Sequence, residues 1–174
     1  PKITDPPSRI NLLDERIDQI SHHCDGIHVT DSVLGIERIS PLIIGTEIKR
    51  KHPNLDVTIS LRVIDKNIEQ ITDFVDAAIH ANLDGILVLM GDPSPDNDYK
   101  SGLIPSGAVS SLVNDGFAEK IKILLSLPSM PNFEKISKKI NSKPHGFVTQ
   151  VIHEISQVQR LNEHLCLLYT SDAA

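Results

Sequence analysis

CDGIHVT at residues 24–30, LDGILVL at 83–89 and PHGFVTQ at 144–150 share one pattern: a small or polar start, a glycine, then four or five strand-forming residues. They stand about 60 residues apart. Between the first two lies another β-branched run, DVTISLRV at 56–63, and before the third lies KIKILLSL at 120–127. Short apolar runs of this kind read as buried parallel strands. Five strands are therefore expected.

The intervals between them carry helical periodicity. Ile10, Leu13, Ile17 and Ile20 keep helical spacing after a cap at Ser8, and Ile68, Ile71, Val75 and Ala78 do so after Asp65. Phe133, Ile136 and Ile140 follow Pro131, a residue suited to a helix start, and Ile152, Ile155, Val158 and Leu161 form a last stripe. The expected order is α-β-α-β-α-β-loop-α-β-α-β-α. Strands alternating with helices imply a parallel α/β sheet with right-handed crossovers. A barrel and an open doubly wound sheet both satisfy that order. The first strand has no GxGxxG after it, which counts against a dinucleotide-binding open sheet.

Composition narrows the function classes. The 174 residues are 40% hydrophobic, and no apolar run approaches the roughly 20 residues of a membrane-spanning helix. No basic-then-apolar leader opens the sequence, so a cytoplasmic location is expected. A net charge of −6 with scattered lysines argues against nucleic-acid binding, which draws on phosphate neutralisation. Two cysteines and eight histidines show no metal-ligand spacing, so no metal site is expected.

In parallel β/α folds, polar residues at the C-terminal strand ends face the ligand. That rule selects Thr30 and Asp31, Arg62 and Asp65, Asp92, Ser126 and Ser129, and Thr149 and Gln150. Gly91-Asp92-Pro93 is the sharpest group. Its glycine permits close backbone approach and its aspartate supplies a fixed charge, although an Asx-type turn cap uses the same residues. Gln150 offers an amide that donates and accepts at once. Thr30-Asp31-Ser32 also suits a helix N-cap. The long polar stretch from Gly91 to Pro105 follows a strand end, where such loops carry function.

Read in order, GIHVTDSVLG, ISLRVIDKN, ILVLMGDPSP and GFVTQVI resemble successive strand-end motifs of the methylenetetrahydrofolate reductase family, over residues 8–165. The resemblance implies an incomplete (β/α)8 TIM barrel with five strands present and the first strand and last units missing. Residues 1–165 would be the partial catalytic domain. CLLYTSDAA, residues 166–174, reads as a non-native tail derived from a sequencing adapter. The activity implied is flavin-dependent reduction of 5,10-methylenetetrahydrofolate, or a related methylene-pterin, to the 5-methyl form. FAD would be the cofactor, with NAD(P)H or another electron donor as partner, and the protein could form a homo-oligomer.

On this resemblance Asp92 is the catalytic carboxylate beside the flavin. Thr30, Asp65 and Gly91 contact the cofactor, Lys135 and Lys139 lie near its phosphates, and Gln150 binds the substrate. The family's proton-donor glutamate would lie upstream of Pro1, so the chain as it stands is expected to be inactive. Ser60 stands where the family has a histidine, and Met90 where some members have an arginine. Two further expectations stay open: a deazaflavin- or FMN-dependent pterin reductase, and a non-catalytic barrel subunit that docks an electron donor.

Overall fold

The computed structural model describes residues 6–31, 39–93, 102–128 and 132–170, with side chains except at 6–10, 133–135 and 166–170. Five strands run through it: β1 (Gly26–Val29), β2 (Asp56–Arg62), β3 (Gly85–Leu89), β4 (Lys122–Leu127) and β5 (Gly146–Thr149). Six helices alternate with them: α1 (Pro6–Ser21), α2 (Pro41–Lys51), α3 (Ile68–His80), α4 (Pro105–Asn114), α5 (Phe133–Ile140) and α6 (Ile155–Thr170). A short 3-10 turn, Phe117–Glu119, precedes β4.

All pairings are parallel, and the sheet order is β1-β2-β3-β4-β5. This order decides between the two architectures left open above. An open doubly wound sheet reverses direction at a switch point, whereas here each strand sits beside the next one in sequence. With right-handed crossovers and no reversal, successive helices fall on one side and the sheet curls. The result is a half-barrel, the expected incomplete (β/α) barrel.

Alternation along the strands sets the two faces. Val57, Ile59 and Leu61 of β2, Ile86 and Val88 of β3, and Ile123 and Leu125 of β4 are fully buried beneath the helices. There they join Ile71, Val75 and Ala78 of α3 and Ala108, Val109 and Leu112 of α4 in one cluster. Burying each such aliphatic side chain stabilises the fold by about 1.5–3 kcal/mol. A smaller cluster of Leu127, Ile136 and Leu161 seats α5 and α6 against the end of β4. The intervening residues, His28, Thr58, Ser60, Leu87 and Ser126 among them, occupy the concave face.

The helix starts differ in detail from the expectation: Ser8, expected as a cap, lies inside α1. Helix α3 is capped by Asn67: its side chain accepts the Gln70 N–H at 2.8 Å, and the Gln70 side chain accepts the Asn67 N–H at 2.9 Å. This reciprocal box satisfies two otherwise orphaned donors. Ile152 precedes α6 and lies outside its helical turns. Ser8 belongs to α1, but its side chain is outside the described residues. At the other end of the sheet, Lys49 of α2 donates to the Leu55 carbonyl at 2.9 Å and to Asp84 at 2.8 Å. Asp84 also accepts the Val57 N–H at 2.7 Å, so one ion pair ties α2 to the starts of β2 and β3.

Among the described residues no helix is long and apolar enough to cross a membrane.

Candidate functional site

Parallel strands deliver their last residues to one rim, and here that rim encloses a cavity of about 450 Å³. Leu87 and Leu89 of β3 and Val148 of β5 form its apolar part. Its polar part comes from three directions: Thr30 and Asp31 after β1, Gly91 and Asp92 after β3, and Thr149 and Gln150 at the end of β5. The hydroxyl-bearing Ser60 and Ser126 complete the lining, with Met90 at the lip. A mostly apolar hollow with a few convergent polar groups is the usual form of a small-molecule site.

Thr30, Gly91, Asp92 and Gln150 therefore come together, as do Asp31, Ser126 and Thr149. Strand geometry accounts for this. Gln150 continues the ladder, its N–H donating to the Leu127 carbonyl at 2.9 Å, so its position is fixed by β4. Past the end of β2, the Val63 and Ile64 N–H groups donate to the Leu89 and Met90 carbonyls at 3.1 and 3.0 Å, extending the sheet to the lip. Gly91 then turns with φ of +84°, a conformation L side chains rarely adopt. A Cβ there would come within 2.5 Å of Arg62 Cγ and Cδ, so the arginine stem packs directly on this glycine.

Arg62 and Asp65 do not line the cavity; they brace it from below. The Arg62 guanidinium pairs with Asp65, whose other oxygen accepts from Lys66 Nζ at 3.1 Å. Burial works to raise the Asp65 carboxyl. The hydrogen bond and charge of Lys66, with the charge of Arg62, outweigh it and hold the group below its ordinary value. Arg62 Nε is buried without a hydrogen-bond partner among the described residues and stands 3.8 Å from Asp31. Arg62 thus connects the loop after β1 with that after β3.

Of the two lysines expected near cofactor phosphates, Lys139 is not among the residues that line the cavity. Lys139 donates instead to the Ser126 main-chain carbonyl, and burial lowers its pKa. Lys135 belongs to α5, but its side chain lies outside the described residues, as do Ser32, Ser129 and residues 94–101. Among the described residues the lining holds two carboxylates, Asp31 and Asp92, and no lysine or arginine.

One group was missed in the sequence. His28 lies on the concave face of β1, with Nδ1 2.8 Å from Thr58 Oγ1 and Nε2 2.9 Å from Ser60 Oγ. The residue is exposed on its open side, and the partial burial of the ring lowers its pKa. The signal was there: His28 alternates with Gly26 and Thr30, the same parity that puts Thr30 at the rim. A second, more open hollow of about 540 Å³ lies where the strands begin, lined in part by Cys24, His52 and Asp56. In β/α barrels that end serves stability, and among the described residues no His, Cys, Asp and Glu cluster could hold a metal.

No protein-family model matches the chain, and no curated protein matches it. A solved structure described as an aldolase is similar in fold, with a TM-score of 0.56 and 17% identity over 88% of this chain. The match takes in 66% of the aldolase, so this chain spans about two thirds of its length. These findings overturn the methylenetetrahydrofolate reductase resemblance. Flavin-dependent reduction of methylene-folate or methylene-pterin, an oxidoreductase acting on CH–NH, and a place in one-carbon and methionine metabolism fall with it. The physical reason lies in the motifs. Glycine at a tight exit and Thr, Asp or Gln at a strand end are what any parallel barrel needs at its rim, so their order tracks the fold and not the chemistry. What the chain is similar to is the barrel of an aldolase, and the fold is what that likeness establishes.

Proposed function

We propose that the cavity is the substrate site of a barrel enzyme that makes or breaks a carbon–carbon bond in a small hydroxy-carbonyl compound. The observation that carries this reading is the convergence of two carboxylates, several hydroxyls and the Gln150 amide on one apolar-floored hollow. Bond-making next to a carbonyl needs a base for the neighbouring C–H and donors for the oxyanion that develops. Asp92, exposed at the lip beside Gly91, supplies the base. Asp31, braced by Arg62, is the second carboxylate and orients a substrate hydroxyl. Thr30, Ser126 and Thr149 offer hydroxyl donors, and Gln150 can bind a carbonyl and a hydroxyl together. The fold likeness to an aldolase supports the same direction. The two lining carboxylates, Asp31 and Asp92, favour a neutral substrate over a phosphorylated one.

The test is proton exchange. The chain is incubated in D2O with dihydroxyacetone, glyceraldehyde, glycolaldehyde or pyruvate, with parallel arms containing FAD or NADH. The expected outcome is deuterium entering the carbon beside the carbonyl of at least one compound, reduced about a hundredfold in Asp92→Asn. Exchange with none of them, or saturable FAD binding that shifts the amide signals of Thr30 and Gln150, would overturn the reading.

A further inference from the structure

His28, Thr58 and Ser60 form a connected set that the lip carboxylates do not explain. Thr58 pairs directly with His28 across β1 and β2, and Ser60 stands two residues further toward the rim on the same face. The imidazole thus bridges a hydroxyl near the strand start and a hydroxyl that lines the cavity. Ser60 is 2% exposed, so its hydroxyl is shielded from bulk solvent. A buried hydroxyl on an imidazole nitrogen is the arrangement that moves protons through a side chain.

We propose that these three residues form a proton relay into the cavity, with neutral His28 donating its Nδ1 proton to Thr58 Oγ1 while Nε2 accepts the Ser60 O–H. This rests on the cavity being the substrate site. As Ser60 Oγ takes a proton from a ligand hydroxyl, its own proton passes to Nε2, while the carbon proton goes to Asp92. The ligand oxygen is left as alkoxide, and His28 becomes imidazolium. Protonation of the product runs the same path backward, so no other reactant is consumed. His28 acts through Ser60 and is a positioning residue. The lowered pKa of its ring keeps it neutral, and able to accept, near neutral pH. Charged groups on the same face are Asp56 and Arg62 on β2 and Lys122 on β4, while β3 contributes none. Asp56 and Lys122 pair with each other at 3.6 Å, and Arg62 pairs with Asp65.

Nitrogen NMR of the histidine-labelled chain near pH 8 reads the tautomer directly, and His28→Gln assigns the signal. The chain holds its own standards. His145 accepts the Ile123 N–H on Nδ1, so its proton is on Nε2, whereas His80 donates from Nδ1 to the Asp76 carbonyl. His28 should match His80 in the wild type and move toward the His145 pattern in Ser60→Ala. A His145-like wild-type signal overturns the relay. In the dihydroxyacetone exchange assay, Ser60→Ala and His28→Gln should each slow exchange about a hundredfold and flatten its pH profile. Wild-type exchange in Ser60→Ala overturns the relay too. Should the unmodified chain exchange nothing, the reading of the cavity fails, and the tautomer still decides the relay.

Discussion

Gly91→Ala should be far more damaging than its size suggests. Two costs combine at this position. The backbone sits at φ of +84°, where an L side chain costs about 1–2 kcal/mol. The new Cβ would also lie 2.5 Å from two carbons of the Arg62 stem, a contact that must be relieved by movement. Overpacking of this kind costs about 1–3 kcal/mol. The sum is about 2–5 kcal/mol, because Arg62 is nearly buried and cannot swing out without releasing Asp65. Gly116 supplies the control. It has φ of +80° with nothing within 4 Å of an added Cβ, so Gly116→Ala should cost only the backbone share, about 1–2 kcal/mol. At about 2–4 °C per kcal/mol for a chain of this size, the gap between the two variants should be several degrees in melting temperature. Urea unfolding followed by circular dichroism gives the same comparison as midpoints. Adding Arg62→Ala to Gly91→Ala should recover part of the loss, since the obstructing stem is gone. Equal melting of the two alanine variants would refute the packing argument.

Other outcomes follow from the same contacts. Asp84→Ala removes the charge partner of Lys49, which keeps the Leu55 carbonyl, and leaves the Val57 N–H without its acceptor; it should cost about 2 kcal/mol in urea unfolding, with Lys49→Met on top of it adding little. Asn67→Ala removes half of the capping box and should cost about 1 kcal/mol, with faster amide exchange confined to the first turn of α3. Asp65 titrates below its unfolded value in the native state, so its contribution is complete above the ordinary carboxylate range and is lost as pH falls through the lowered value. Asp65→Asn should therefore narrow the stability difference between pH 7 and pH 3, and a difference equal to wild type would rule out that linkage.

The strands were legible because each is short, apolar and led by a glycine or a polar residue, and buried parallel strands tolerate little else. Alternation by itself fits both barrel and open sheet; the strand-end motifs pointed to the incomplete barrel, and the strand pairing bears that out. At the rim, the strand-end rule picked out Thr30, Asp92 and Gln150, and all three line one cavity. Parity held His28, but a histidine inside a strand reads first as an ordinary residue, and only coordinates show the two hydroxyls bracketing it. Arg62 misled in the other direction. A charged strand-end residue suggests a ligand contact, yet its stem is spent on Gly91 and its head on Asp65. Motif order led to the right fold and the wrong chemistry, because residues selected by rim geometry repeat across unrelated barrels.

The strand order has a consequence for how the chain reaches this state. Every ladder joins neighbours in sequence, with partners from 22 residues apart, as in Leu124 and Gly146, to 37, as in Gly85 and Lys122. No strand waits for a distant segment to arrive, so loop closure costs stay small and a nascent polypeptide can zip up one βα unit at a time as it leaves the ribosome.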